Sequence, residues 1–237
     1  MDSALYLIPV TLGETPQSKV LPSYNHDVIV NIKHFIVESK KSAIRFLVNV
    51  DKSIDIDSLT FYELNEHTDL KTIGNYLDPL LKQKVSMGVI SDAGCPAVAD
   101  PGAAVVEMAQ KKNLKVVPLA GPNSMIMALM ASGFCGQSFA FNGYLPVKPA
   151  ERANKLKNLE SRSYKEDQTQ LFIETPYRNA QLFETIVKTL RPETRLCIAA
   201  GITTEEEFIK TKTCAEWKKC GFPALKKVPA IFAVYRG

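Results

Sequence analysis

Apolar residues along this chain fall into short continuous runs separated by stretches of helical spacing, and the alternation persists from end to end. Residues 5–10 are uninterruptedly apolar over too short a distance for a helix, which predicts a strand covered on both faces. From Asn25 the spacing of Val28, Ile32 and Phe35 is helical, passing into a strand at 35–37 and then a helix over 39–48 with Ser39 as its N-cap. Strands are predicted at 59–64, 85–90 and 115–118, and helices over 70–82, interrupted near Asp78-Pro79, and 103–112. An apolar helix over 125–131, a helix over 149–165, a strand at 170–174, a helix running to Leu190 and a strand at 195–200 follow. Residues 207–211 and 228–235 read as antiparallel neighbours of that last strand. Such alternation predicts an α/β fold with a sheet rich in parallel pairs. Glycine and proline punctuation at 133–136 and 141–146 marks a new start, so two α/β domains are expected, 1–120 and 121–237.

Composition narrows the class further. The 237 residues, 46% of them hydrophobic, suffice for one large core or two small ones. A net charge of +4 permits an RNA partner without requiring one. The five cysteines, Cys95, Cys135, Cys197, Cys214 and Cys220, show no CxxC pair and no histidine at ligand spacing, so neither a disulfide framework nor a metal site is expected. No apolar run approaches the roughly 18 residues of a membrane span. The expectation is a soluble, cytoplasmic protein.

Candidate chemistry gathers where predicted strands end. The strand at 85–90 breaks into Ser91-Asp92-Ala93-Gly94-Cys95-Pro96-Ala97-Val98-Ala99-Asp100-Pro101-Gly102, a turn dense in Gly, Pro and Asp. Gly94 and Gly102 allow backbone to approach a ligand, Pro96 and Pro101 stiffen the path, and the C-terminal edge of an open sheet is where such folds bind ligands. A dinucleotide site is not expected, because the turn after the first strand lacks G-x-G-x-x-G. Asn123 and Ser124 read as caps of the apolar helix, whose first amides would face the central turn. Glu174-Thr175-Pro176-Tyr177-Arg178 puts a carboxylate at a strand end, with a plain helix start capped by Thr175 as the other reading. Lys148, Arg152, Lys155, Lys157, Arg162 and Lys165 form a basic helix face, open to a phosphate-contacting or a merely solvated role.

Five of these stretches together resemble one family. Leu5-Tyr6-Leu7-Ile8-Pro9, the Ser91 to Gly102 turn, residues 118–124, residues 141–146 and Phe172-Ile173-Glu174-Thr175-Pro176-Tyr177-Arg178 are similar, in order, to the ribosomal RNA small-subunit 2′-O-methyltransferases of the tetrapyrrole methylase superfamily. The resemblance implies two α/β domains with S-adenosylmethionine in the cleft between them, and a homodimer acting on ribosomal RNA or the small ribosomal subunit. Carried over by position, it implies that Pro9, Asp92, Ala93, Gly94, Pro96, Ala97, Asn123 and Ser124 line the cofactor pocket, and that Glu174, Thr175 and Gly201 close it. Removing the proton of a ribose hydroxyl calls for a general base, and Glu38 and Asp92 are the catalytic candidates. Lys41 and Arg178 are the candidate substrate-binding cations.

The chain also departs from the family. Where the family carries Glu-Asp-Thr-Arg, this chain has Glu38-Ser39-Lys40-Lys41, so a point charge replaces a forked guanidinium. Where it carries Arg-Glu-x-Thr-Lys, this chain has Ala200-Gly201-Ile202-Thr203-Thr204, without the three charged side chains. Two alternatives therefore stay open: a tetrapyrrole or other small-molecule methyltransferase of the same superfamily, and an inactive relative that keeps the cofactor pocket.

Overall fold

The computed structural model describes residues 3–69, 71–225 and 228–237, apart from the side chain of Thr72. The chain divides into two compact units, Met1–Asn123 and Ser124–Gly237. In the first unit, β1 (Leu5–Ile8) leads through α1 (Gln17–Val20) and α2 (Ser23–Ile29) to β2 (His34–Val37), and α3 (Lys40–Val50) leads to β3 (Thr60–Glu63). Then follow α4 (Asp78–Lys82), β4 (Met87–Ile90), α5 (Gly102–Lys111) and β5 (Val116–Pro118). The strands pair in the order β3-β2-β4-β1-β5, every pairing parallel.

This order sends the connections to opposite faces. Right-handed crossovers put helices that lead from β1 to β2 and from β2 to β3 on one face, and those that lead back towards β5 on the other. Side chains agree: Val28 and Ile29 of α2 and Phe46 and Leu47 of α3 pack with Tyr6, Ile8, Phe35 and Val37. Leu80 of α4 and Val105 and Ala109 of α5 pack instead with Leu5, Ile36, Met87 and Val89. Consecutive strand residues thus enter different cores, which is why these strands are apolar without alternation.

The second unit contains α6 (Ser124–Ser132), β6 (Phe139–Tyr144), α7 (Pro149–Glu166), β7 (Thr169–Glu174), α8 (Asn179–Thr189), β8 (Arg195–Ala200), β9 (Phe208–Thr213), α9 (Cys214–Cys220) and β10 (Ala230–Tyr235). Its sheet runs β6-β7-β10-β8-β9, with β6 parallel to β7 and the other pairs antiparallel. One face carries Leu156 and Leu159 of α7, Phe183 and Ile186 of α8 and Trp217 of α9 over Phe172, Ile198 and Phe232. Phe172 and Phe232 stack at 6.0 Å, and the Trp217 indole N–H donates to the Leu196 carbonyl at 2.8 Å. On the opposite face Thr211 Oγ1 donates to the Ser132 carbonyl at 2.8 Å, fixing the end of α6.

Several expectations change. The helix expected over 70–82 is a 3-10 turn, Thr72–Asn75, and the short α4, with Pro79 in its first turn; its expected first residue, Leu70, lies outside the described residues. Strand β6 and helix α9 were not anticipated. Of the basic residues on and beside α7, Arg152 is buried and donates to Thr185 Oγ1 at 3.1 Å, Lys148 pairs with Glu151 and Arg162 with Glu166 at the surface, and Lys157 and Lys165 are exposed. Helix α8 begins three residues beyond Pro176, with Arg178 and not Thr175 at its N-cap position and no side-chain capping bond. Among the described residues no helix is long and apolar enough to cross a membrane.

Candidate active site

Strands β1 and β4 are neighbours whose outgoing connections leave towards opposite faces, and such a switch point opens a crevice at the C-terminal edge of the sheet. Three turns meet there. Val10 N–H donates to the Gly94 carbonyl at 2.9 Å, tying the turn after β1 to the turn after β4. Cys95 Sγ donates to the Pro122 carbonyl at 3.4 Å and also bonds the Asn123 side chain, tying in the turn after β5. Burial pushes the Cys95 thiol up, so it stays protonated and acts as a small packed donor.

The central turn holds an unusual backbone. Gly94 lies at φ 71°, with space for a Cβ closed off by Leu12 Cδ2 at 3.1 Å and the Pro122 carbonyl at 3.3 Å. Ala97 and Ala99 also lie in the left-handed region, at φ 65° and 61°, a conformation that costs roughly 1–2 kcal/mol for each alanine. Asp100 offsets that cost: its Oδ1 accepts from Ala97 N–H at 2.9 Å and from Gly102 N–H at 2.7 Å, clamping the turn onto the start of α5. Gly121 packs so close to Pro9 that a Cβ would lie 2.3 Å from the ring Cγ.

Glu38 follows β2 at the same edge, and its Oε2 accepts from Asp92 N–H at 3.2 Å. Desolvation raises the Glu38 carboxyl above the ordinary glutamate range, and the negative charges of Asp92, Asp100 and Glu66 push the same way against the Asp92 amide. The two catalytic candidates are thus in direct contact, one half-buried and one exposed. Lys41 projects from the first turn of α3, exposed, with no ion pair among the described residues.

A cavity of ≈ 530 Å³ opens beside these groups, lined by residues 10–15, Gln17, Ser91, Asp92 and one face of α3, Ser42, Arg45, Phe46 and Asn49. A second cavity of ≈ 490 Å³ adjoins it, sharing Thr15, Gln17 and Asn49. Sequence reasoning placed Asp92 here but missed the α3 wall. Its signal was present in the three- and four-residue spacing of 42, 45, 46 and 49, which share a helix face with one another.

The remaining candidates lie in the second unit. Glu174 is buried, and its Oε1 accepts from Thr175 N–H at 2.7 Å and from Arg178 Nε at 2.9 Å and pairs with Arg178 Nη2 at 2.7 Å. The two charged candidates there therefore satisfy each other and fix Thr175 between them. Gly201, at φ 56°, begins a tight turn in which Thr204 Oγ1 donates back to the Gly201 carbonyl at 2.6 Å. Thr203 in that turn is buried at φ 73°, and its N–H donates to Glu207 Oε2 at 2.7 Å. Ser124 is the first residue of α6 and partly exposed.

Comparison with known proteins supplies a context for this edge. No family model matches the chain. It is 30% identical over 212 residues to "Ribosomal RNA small subunit methyltransferase I" of Vibrio cholerae, covering 90% of this chain and 69% of that protein. It is 35% identical over 149 residues to the protein of the same name from Pasteurella multocida, covering 63% of this chain and 51% of the relative, so that match spans about half the relative's length. Among solved structures, the methyltransferase CobJ superposes with a TM-score of 0.64 at 16% identity, covering 99% of this chain and 95% of that one. Diphthine synthase superposes with a TM-score of 0.64 at 16% identity, over 98% of this chain and 90% of its own. At that identity the likeness concerns the fold, which is that of the tetrapyrrole methylases.

Proposed function

Since the chain belongs to the ribosomal RNA small subunit methyltransferase I family, we propose that it transfers a methyl group from S-adenosylmethionine to a ribose 2′-hydroxyl of ribosomal RNA. The observation that carries this reading is the contact between Glu38 and the Asp92 turn beside the ≈ 530 Å³ cavity, a volume in the range of small-molecule sites.

The residues present fit the cofactor. It is a cation at its sulfur and carries an amino group, and the cavity wall offers the carboxylates of Glu14 and Asp92. Gly94, packed against Leu12 and Pro122, and Gly121, packed against Pro9, let the three turns draw together at this edge. Pro9, Asp92, Ala93, Gly94, Pro96, Ala97 and Asn123 would hold it. When bound, S-adenosylmethionine supplies a methyl group on a good leaving group, so the protein has mainly to align the acceptor and remove its proton.

Proton removal falls to Glu38. Its raised affinity for protons brings it closer to the basicity a hydroxyl needs, and the Asp92 amide holds one carboxylate oxygen so that the other is aimed. Lys41 and Arg45, one helical turn apart on α3, present two cations to the phosphates of an RNA strand. The homodimer and a cytoplasmic location belong to the same proposal.

The test is incubation with labelled S-adenosylmethionine and small ribosomal subunits, or their RNA, from a source lacking the gene. Label is expected in the RNA, and Glu38→Gln should slow transfer by about 10²–10⁴-fold while cofactor binding persists. Cofactor binding without any transfer to RNA or subunit would overturn the acceptor and favour a small-molecule substrate.

A further inference from the structure

Asp100 has two unlike oxygens. Oδ1 is saturated by the amides of Ala97 and Gly102, whereas Oδ2 is buried and has no partner among the described residues. An ionised carboxylate spreads its charge over both oxygens, so an orphaned buried one loses its hydration without return. A proton on Oδ2 removes that penalty but makes it a donor, and a donor needs an acceptor.

The surroundings offer one. Asp100 and Glu38 line the same small cavity, whose other walls include Ile36, Val37, Leu64 and Val89. Only ≈ 10 Å³ is open to the centre of a water, about what a single molecule requires. An apolar pocket of that size would stay dry, but here two carboxyl groups supply the polar partners that hold a water in place.

We propose that Asp100 is a positioning residue for Glu38: one water in this cavity bridges Asp100 Oδ2 and the Glu38 carboxyl, so that the two groups share a proton. The inference rests on reading Glu38 as the base and explains how its basicity is set. Besides Asp100, the charged groups bearing on Glu38 are Asp92, from the same turn, and Glu66, beyond β3, all three negative. Desolvation of the Asp100 carboxyl, raised despite its two amide donors, acts in the same sense. Two carboxyls that share a proton cannot both ionise freely, so the pair, and not either group alone, defines the titration.

The experiment is a carboxyl-carbon NMR titration of protein labelled in its aspartate and glutamate side chains, run beside the pH profile of turnover. In the unaltered protein the Glu38 and Asp100 resonances are expected to move together through two shared steps. Asp100→Asn keeps an oxygen acceptor for Ala97 and Gly102 but puts a fixed amide donor where the shared proton was. Its Glu38 midpoint should fall by about one pH unit, and the acidic limb of turnover should follow. Independent titration of the two resonances, or an unmoved Glu38 midpoint in folded Asp100→Asn, would overturn the proposal. A midpoint that moves while Glu38→Gln keeps full turnover would leave the shared proton standing and remove only the base assignment.

Discussion

At the scale of single residues, Glu38 trades stability for reactivity. Its carboxyl is raised above the ordinary glutamate value of 4.5, chiefly by desolvation, so the fold favours the protonated form. The stability it contributes is full below the unfolded value and is lost as the pH rises through the folded one. Glu38→Gln should therefore unfold at a higher denaturant concentration than the parent at neutral pH, and this advantage should vanish below the ordinary glutamate range. An advantage that stays constant with pH would show that the carboxylate carries no such cost. Gly121 illustrates the opposite kind of residue: its missing Cβ is needed only for space, because Pro9 already occupies it. That requirement is invisible in a sequence, where Gly121-Pro122 reads as any turn.

At the scale of elements, a cap decides whether a short helix forms. Helix α9 has seven residues, and a capping box starts it: Glu216 N–H donates to Thr213 Oγ1 at 3.2 Å while Thr213 N–H donates to Glu216 Oε2 at 2.8 Å. Thr213→Ala is expected to cost about 1 kcal/mol, read as a lowered denaturation midpoint with unchanged slope. The box was legible as Thr213-x-x-Glu216, yet a helix of two turns carries too little apolar periodicity to be noticed. Strand β6 was hidden for a different reason. Its register shifts between Phe141 and Tyr144, where Asn142 and Gly143 sit, and Gly143 adopts φ 62°, so residues typical of a turn mark an irregularity inside a strand. The doubly covered strands β1 and β4 were plain in the sequence because burial on both faces leaves no polar position. The site was legible to the extent that it lies at strand ends. Glu174 pairs with Arg178 only four positions away, within a single motif, whereas the bond of Glu38 with the Asp92 amide across 54 positions depends on tertiary approach that no local pattern encodes.

At the scale of the molecule, the excess of positive charge is only +4, and in and beside α7 Arg152 is buried while Lys148 and Arg162 are paired with neighbouring carboxylates. RNA affinity should still fall with salt, by about a hundredfold between about 50 and about 200 mM for a footprint of about four phosphates. Lys41→Ala and Arg45→Ala should each flatten that logarithmic slope by about one, and slopes equal to the parent's would take these side chains off the RNA. The strand order carries a different consequence, one of timing. β1 is seated between β4 and β5, Leu5 facing Met87 on one side and Val116 on the other. During synthesis at roughly 5–20 residues per second, the first strand therefore waits on the order of ten seconds before either neighbour exists. Over that interval the most apolar stretch near the start of the chain has nothing of its own to pair with, which makes the nascent first unit a natural client for a chaperone at the ribosome.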